Sequence, residues 1–233
     1  MNLAIIGTDN NSHIKTGGLK NSKGLMKING EYLIERIIRI GRTNRITNLF
    51  YMINSHEPEL KQYLSTNNFG LQLNLVEVDS LSPRQRLIGL TSFLKIEPFF
   101  LVNANSVFLE SEFSEFVTYS LLQEDSDGAL AVTKHINDDK PLSVAMNDED
   151  IILKFNNSKE GYNWVNGGIY YFSPNIFDET KYALQAGIVR LEKFLQLLII
   201  KGYILKGFSF SKIINVEKAA DISKAEDLIK LNV

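Results

Sequence analysis

The sequence predicts an α/β domain with a mainly parallel central sheet flanked by helices, and with an antiparallel extension. Three observations predict it. Short apolar runs at Asn2–Ile6, Asn48–Ile53, Leu71–Val78 and Phe99–Val102 alternate with amphipathic segments through the first half of the chain. Phe99-Phe100-Leu101-Val102 is apolar without interruption, as expected of a strand buried on both faces of a parallel sheet. From Asp127-Gly128 the pattern changes to consecutive short strands with no long helix between them.

The elements follow in order. Asn2–Ile6 is a buried strand that stops at Gly7 and feeds a polar loop from Thr8 to Lys23. From Glu31, Leu33, Ile34, Ile37, Ile38 and Ile40 recur at helical spacing, with Arg36, Arg39 and Arg42 on the other side, so an amphipathic helix closed by Gly41 is expected. Asn48–Ile53 is a strand, His56–Ser65 a helix and Leu71–Val78 an alternating strand. Ser82-Pro83-Arg84-Gln85 carries an N-cap serine, a proline at the first helical position and a glutamine three residues on, the start of a helix running to about Ile96. Ser111–Gln123 is helical. Gly128–Thr133, Leu142–Met146, Ile151–Phe155 and Gly167–Phe172 read as the antiparallel extension, from about residue 128 to 172. Helices return at Ile188–Ile200 and Lys218–Leu231, with Tyr203–Phe208 and Phe210–Val216 as strands between them. With no repeat, linker or low-complexity segment, residues 1–233 are expected to form one domain.

Composition excludes several classes of function. The chain has 25 Lys+Arg against 27 Asp+Glu, and a net charge of −2 gives no global field to draw in nucleic acid or an anionic membrane. Apolar residues at 44% and charged residues at 22% are enough to bury a core, which excludes disorder for most of the chain. Without Cys there is no disulfide framework, thiolate zinc site or Cys nucleophile, and His13, His56 and His135 are scattered. Met1-Asn2-Leu3 lacks the basic start and apolar stretch of a signal peptide, so a soluble cytoplasmic protein is expected.

In an open parallel sheet, ligands bind outside the carboxyl ends of the strands, which directs attention to Gly7–Lys23, Asn103–Ser106 and Asn215–Glu217. The opening, Leu3-Ala4-Ile5-Ile6-Gly7-Thr8-Asp9-Asn10-Asn11-Ser12-His13-Ile14, resembles the glycine-rich opening of sugar-phosphate nucleotidyltransferases of the sugar-nucleotide pyrophosphorylase type. Lys23-Gly24-Leu25-Met26-Lys27 through Gly30 to Leu33-Ile34-Glu35-Arg36 is similar to the Lys-Pro-Leu run of that family. Asn103-Ala104-Asn105 resembles its metal-binding strand end, with Asn105 where an Asp belongs. Asn166-Gly167-Gly168-Ile169-Tyr170 resembles its sugar-site segment. Ile214-Asn215-Val216-Glu217 followed by Asp221 resembles its closing motif, with Asn215 where the second metal Asp belongs. The five segments come in the right order and span the chain, and the resemblance implies a nucleotide-diphospho-sugar transferase-like fold.

The resemblance implies an enzyme that joins a nucleoside triphosphate to a sugar phosphate, releasing pyrophosphate, by positioning and charge neutralisation. Lys23 would be the catalytic cation. Gly7, Thr8, Asp9, Asn11, Ser12, His13 and Ser82 would line the nucleotide, and Asn166, Gly167 and Gly168 the sugar. Asn105 and Asn215 would hold Mg²⁺ only weakly, because a hard ion prefers anionic oxygen. Glu217, two residues beyond Asn215 on the same strand face, is a further carboxylate for the metal. Asp9 and Asn11 stand where the family has Gly, and His13 where it has Arg, so the loop loses a fixed guanidinium and gains a carboxylate that opposes triphosphate.

Each residue also has a plainer reading. Asn at a strand end is ordinarily a turn former, and Gly167-Gly168 serves equally for a bulge or for close packing. Ser82-Pro83 suffices as a helix start, and Arg84, Arg86 and Arg190 suffice as surface charges. Two functions compete: the active transferase, and an inert homologue that keeps the fold and binds nucleotide or sugar phosphate as a regulator or partner subunit. A glycosyltransferase of similar fold would need acidic residues at Asn103 and Asn105 and is disfavoured. No nucleic-acid or membrane partner is expected, and a homo-oligomer is left open.

Overall fold

Strand Asn2–Ile6 (β1) is buried at all five positions, so it needs partners on both edges and cover on both faces. The computed structural model describes residues 1–7, 14–16, 19–21, 23–53, 57–77, 89–135, 141–156, 162–188 and 190–230. After β1 come two short hairpins, Ile14–Thr16 (β2) with Leu19–Asn21 (β3), and Lys27–Ile28 (β4) with Glu31–Tyr32 (β5). The second turns through Asn29 and Gly30, both at positive φ, 50° and 86°. Helix Leu33–Thr43 (α1), strand Asn48–Ile53 (β6), helix Pro58–Thr66 (α2) and strand Gln72–Glu77 (β7) follow. A short helix Thr91–Leu94 (α3) precedes strands Phe99–Asn103 (β8) and Ser106–Val107 (β9), then helix Glu110–Leu121 (α4). The second half holds strands Gly128–Thr133 (β10), Ser143–Met146 (β11), Ile152–Asn156 (β12) and Trp164–Phe172 (β13). It ends with helices Thr180–Gln185 (α5) and Leu191–Ile200 (α6), strands Leu205–Phe210 (β14) and Ile214–Asn215 (β15), and helix Ala219–Lys230 (α7).

Among the described residues, nine strands form the main sheet. β1 pairs in parallel with β6 on one edge and β8 on the other, and β6 pairs in parallel with β7. Strand β13 runs the other way and links the two halves. Its Ile169–Phe172 pairs with β8, its Val165 with Ser143 of β11, and β10 lies along its opposite edge. This is the expected antiparallel extension, except that β14 returns parallel to β10. Between the pairs Leu130↔Tyr170 and Val132↔Asn166, three residues of β13, Gly167, Gly168 and Ile169, face the single Ala131, so the strand is bulged there.

Alternation along the strands divides the interior into two layers. Ala4 and Ile6 face a cluster completed by Phe194, Leu195 and Leu198 of α6, while Leu3 and Ile5 face one completed by Ile34, Ile37 and Ile38 of α1 and Phe113 and Phe116 of α4. A third, smaller cluster joins Met26, Ile28, Leu33, Val107, Ile214, Val216, Ala225 and Leu228 at the carboxyl end of the sheet. Among the described residues, no helix is long and apolar enough to cross a membrane.

Several expectations need correction. Arg36 is not on the outer face of α1. It is 3% exposed, donates from Nη2 to the Phe108 carbonyl at 2.7 Å and lies over the Phe108 ring. Gly41 does not end the helix, because α1 continues to Thr43 and the Asn44 N–H closes onto the Ile40 and Gly41 carbonyls. The stretch expected as a strand over Phe210–Val216 is broken: β14 ends at Phe210, and beyond it only the two residues of β15 are extended. The loop expected from Thr8 to Lys23 contains the β2–β3 hairpin, and Pro174–Gln185, for which no element was expected, is helical. The first part of the helix expected from Ser82 to about Ile96, residues 82–88, lies outside the described residues, and in the rest α3 ends at Leu94.

Replacing Arg36 with Met keeps much of its apolar stem but leaves the buried Phe108 carbonyl without that donor. We expect a loss of about 1–3 kcal/mol in urea unfolding. Replacing the exposed Arg42 the same way should change stability by less than about 0.5 kcal/mol.

Candidate functional site

Because β1 and β8 run parallel, with Ile6 opposite Asn103, their carboxyl ends open on the same edge. The Ala104 N–H donates to the Ile6 carbonyl at 2.9 Å, so the chain leaving β8 crosses the end of β1 next to the buried Gly7. β9 then pairs antiparallel with β15, placing Ser106 opposite Asn215, and the Val216 N–H donates to the Asn105 carbonyl at 2.9 Å. Two segments about 110 residues apart are thus held side by side by backbone bonds.

The side chains continue this link. Asn105 is 1% exposed, and its Nδ2 donates to Glu217 Oε1 at 2.7 Å and to the Val216 carbonyl at 3.3 Å. Its Oδ1 has no hydrogen-bond partner among the described residues. Asn215 Oδ1 accepts from Ser106 Oγ at 2.8 Å. Lys23 stands on a single 3₁₀ turn, Lys23–Leu25, whose next residue Met26 is anchored in the third apolar cluster. The residue is 5% exposed, and its ammonium forms an ion pair with Glu217 Oε2. Glu217 is therefore shared between an amide donor and a sheltered cation, while its own side chain remains 53% exposed.

Glu217 is aimed by Asp221, which is 1% exposed. Asp221 Oδ2 accepts the backbone N–H groups of Glu217 and Lys218, each at 3.1 Å, and Oδ1 lies 3.5 Å from Lys224 Nζ. A carboxylate in the first turn of α7 collects donors that the helix cannot satisfy itself.

Beside this network lies a cleft of about 210 Å³ lined by residues including Thr133, His135, Asn166, Gly167, Asn215 and Glu217. Two glycines of the bulge stand next to the cleft. Gly168 has φ +76°, and a Cβ there would come within 2.3 Å of Asn103 Nδ2; one on Gly167 would come within 2.1 Å of Ile213 Cδ1. Asn166 is committed to the protein, donating to the Tyr170 hydroxyl at 2.6 Å and accepting from the Gly168 N–H at 3.4 Å. Burial pushes the Tyr170 hydroxyl up to about 12, so it stays protonated. Burial first, and then the charges of Lys212 and Lys224, hold the His135 imidazole below its ordinary value.

Lys23, Asn105 and Glu217 therefore meet in one hydrogen-bonded network, and Asn215, bonded to Ser106, adjoins it through the β9–β15 pairing, with Asn166 and Gly167 lining the cleft at its side. Thr8, Asp9, Asn11, Ser12, His13 and Ser82 lie outside the described residues. Arg190 is an exposed charge paired with Glu192 at 3.3 Å. Sequence reasoning quoted Ser106 and Asp221 within their motifs without giving them a role, and gave none to His135. Ser106 follows Asn105 directly, and Asp221 sits at the opening of a helix, so both had a local signal; His135 had none. Among the described residues, no group of three or more His, Asp or Glu is placed to hold a metal ion.

No protein-family model matches this sequence, and no curated protein matches it either. Solved structures do match. The inositol-1-phosphate CTP transferase from T. maritima superposes with a TM-score of 0.82 at 18% identity, covering 100% of this chain and 97% of that one. A Bacillus anthracis protein provisionally assigned as a glucose-1-phosphate thymidylyltransferase, solved with sucrose, has a TM-score of 0.83 at 14% identity, covering 100% and 95%. HddC from Yersinia pseudotuberculosis has a TM-score of 0.75 at 13% identity, covering 97% and 98%. At these identities the likeness establishes the fold, a single α/β domain with a mainly parallel sheet plus antiparallel strands.

The unequal exposure of Lys23 and Glu217 makes their substitutions unequal. Glu217→Gln leaves a buried ammonium without its carboxylate and should cost about 2 kcal/mol, short of the ~3–5 kcal/mol for breaking a fully buried pair, because water already screens Glu217. Lys23→Met leaves only a half-exposed carboxylate and should cost less than about 1 kcal/mol. Urea unfolding of the two variants checks the order.

Proposed function

We propose that the chain is a sugar-1-phosphate nucleotidyltransferase, forming a nucleoside diphosphate sugar and pyrophosphate from a nucleoside triphosphate and a sugar phosphate. The observation that carries this reading is the convergence of Lys23, Asn105, Asn215 and Glu217 at the carboxyl edge of the sheet, from positions up to 194 residues apart. It is supported by the fold shared with nucleotide- and sugar-phosphate-handling proteins.

In the reaction, an oxygen of the acceptor's phosphate attacks the α-phosphorus and the bond to pyrophosphate breaks. Such a transfer asks the protein for positioning and for charge opposite the phosphates. Lys23 supplies that charge by exchanging Glu217 Oε2 for a phosphate oxygen. The donor set suits a Mg²⁺ ion that arrives on the triphosphate, since Mg²⁺ commonly takes one or two carboxylates and completes its shell with phosphate oxygens and water. Glu217, once released by Lys23, and the unpartnered Asn105 Oδ1 would hold it. When bound, the ion neutralises phosphate charge. Asn215 stays tied to Ser106 and positions β15 against β9.

One observation favours the second reading, an inert nucleotide or sugar-phosphate binder. Lys23 and Glu217 already neutralise one another, and amides occupy both positions where carboxylates would demand a cation. Pyrophosphate release measured with each common nucleoside triphosphate, Mg²⁺ and a panel of sugar 1-phosphates separates the two readings. The active reading expects turnover in the wild type and at least about a hundredfold loss of kcat in Glu217→Gln, in line with the removal of one electrostatic group from a reaction centre. Nucleotide binding without turnover in either protein establishes the inert reading.

Because the protein brings little charge of its own to the ion, nucleotide affinity should depend weakly on Mg²⁺. Titration calorimetry should show a gain on adding Mg²⁺ of well under a hundredfold, or about 2.7 kcal/mol.

A further inference from the structure

The segment that carries Glu217 divides its side chains between two sides. Ile214 and Val216 belong to the third apolar cluster, while Ile213, Asn215 and Glu217, alternating with them, all line the cleft. Asn215 and Glu217 are therefore neighbours on one wall, roughly 7 Å apart at Cα for an extended chain.

Asn215 meets the cleft with one end of its amide. Its Oδ1 accepts from Ser106 Oγ at 2.8 Å, the ordinary length of an O–H···O bond, and Ser106 is 1% exposed. The Gly167 carbonyl lies 3.5 Å from the same hydroxyl and competes only weakly for its single hydrogen. With Oδ1 turned to Ser106, what Asn215 offers the cleft is Nδ2, which has no acceptor among the described residues. A metal ion takes an oxygen lone pair, whereas an amide nitrogen only donates; its complement is an oxygen that only accepts.

The charges along this wall allow that oxygen to be anionic. Two carboxylates line the cleft, Glu217 and Asp221, and each is already matched, Glu217 by Lys23 and Asp221 by Lys224 at 3.5 Å. Asp221 is also 1% exposed and engaged by two backbone N–H groups. Lys218, next to Glu217, lines the cleft as well. A phosphate that draws Lys23 away from Glu217 thus lies one side chain along the wall from Asn215.

We propose that Asn215 binds the acceptor's phosphate directly, its Nδ2 donating to a phosphate oxygen at the place where the resemblance puts a metal-binding carboxylate. This rests on the transferase reading above. It makes Asn215 a residue that recognises the charge of the substrate, since an N–H donor to an anionic oxygen is stronger than one to a neutral oxygen.

Titration calorimetry with the full chain tests this, using a panel of sugar 1-phosphates that includes glucose 1-phosphate, each in the presence of a nonreacting nucleotide, with and without Mg²⁺. Asn215→Asp keeps the heavy-atom shape and the bond from Ser106 but removes the donor and adds a negative charge. Asn215→Ala removes the donor and the Ser106 bond together. Affinity for the sugar phosphate should fall at least about tenfold in N215D, with or without Mg²⁺, and by less in N215A. A purely structural role reverses that order, because only N215A loses the Ser106 bond. Contact with a ring hydroxyl also leaves N215D no worse than N215A, because a hydroxyl can donate to Asp. A metal-ligand role makes N215D bind more tightly once Mg²⁺ is added. Any of these three results, or unchanged affinity in both variants, would overturn the assignment and leave the transferase reading standing. If the wild type binds the nucleotide but no sugar phosphate, the acceptor reading itself fails, and this inference with it.

Discussion

An ammonium sheltered from water needs a carboxylate within reach, and at Lys23 that requirement organises the whole functional edge. The carboxylate comes from Glu217, 194 residues away, and bringing it there requires β15 to pair with β9 and α7 to dock. The third apolar cluster does the docking: Met26 beside Lys23, Val107 beside Asn105 and Ser106, and Val216 beside Glu217 all belong to it, with Ala225 and Leu228 of α7 closing it. Burial of these side chains, each contributing roughly 1.5–3 kcal/mol when large, holds in register three segments that otherwise share only a few hydrogen bonds.

That arrangement gives the site an unusual electrostatic state. With carboxylates at 105 and 215 beside Glu217, three negative charges would face one lysine, and the edge would need a cation to close. With Asn105, the same heavy-atom shape donates to Glu217 instead of repelling it. Lys23 and Glu217 neutralise one another, and the buried Asn105 Oδ1 is left without a hydrogen-bond partner among the described residues. An oxygen left this way in a low-dielectric setting is costly, and a ligand that supplies a cation or a donor relieves the cost.

Much of this was legible in the sequence wherever local pattern and long-range structure agree. β1, β6 and β8 are apolar at nearly every position because both of their faces are covered, and such runs announce themselves. Asn105, Asn215 and Glu217 follow or flank strands whose carboxyl ends were expected on one edge, whereas Lys23 stood out only through the resemblance of the run that begins with it. What stayed hidden depends on partners far away in the chain. Arg36 reads as an outer-face residue on a helical wheel, and only the Phe108 carbonyl, 72 residues on, explains its burial. At the bulge of Gly167–Ile169, Ile213 and Asn103 occupy the space that side chains on Gly167 and Gly168 would need, a fit no local pattern reveals. Nor could periodicity reveal that β13 would run between β8 and β10 while β14 lies parallel to β10.

The pairing of β9 with β15 also bears on how the molecule comes to be folded. Contacts between β1, β6 and β7 close loops of a few tens of residues, whereas β9 with β15, and Lys23 with Glu217, close loops several times longer and must overcome a larger entropy of closure. The β1–β6–β7 part of the sheet can therefore assemble while the carboxyl edge is still open, whereas β1 with β8 closes a loop nearly as long as that of β9 with β15. In such a molecule, loosening of α7 from the third cluster would unmake the site while leaving most of the sheet intact, so loss of the site and loss of the fold are separable events.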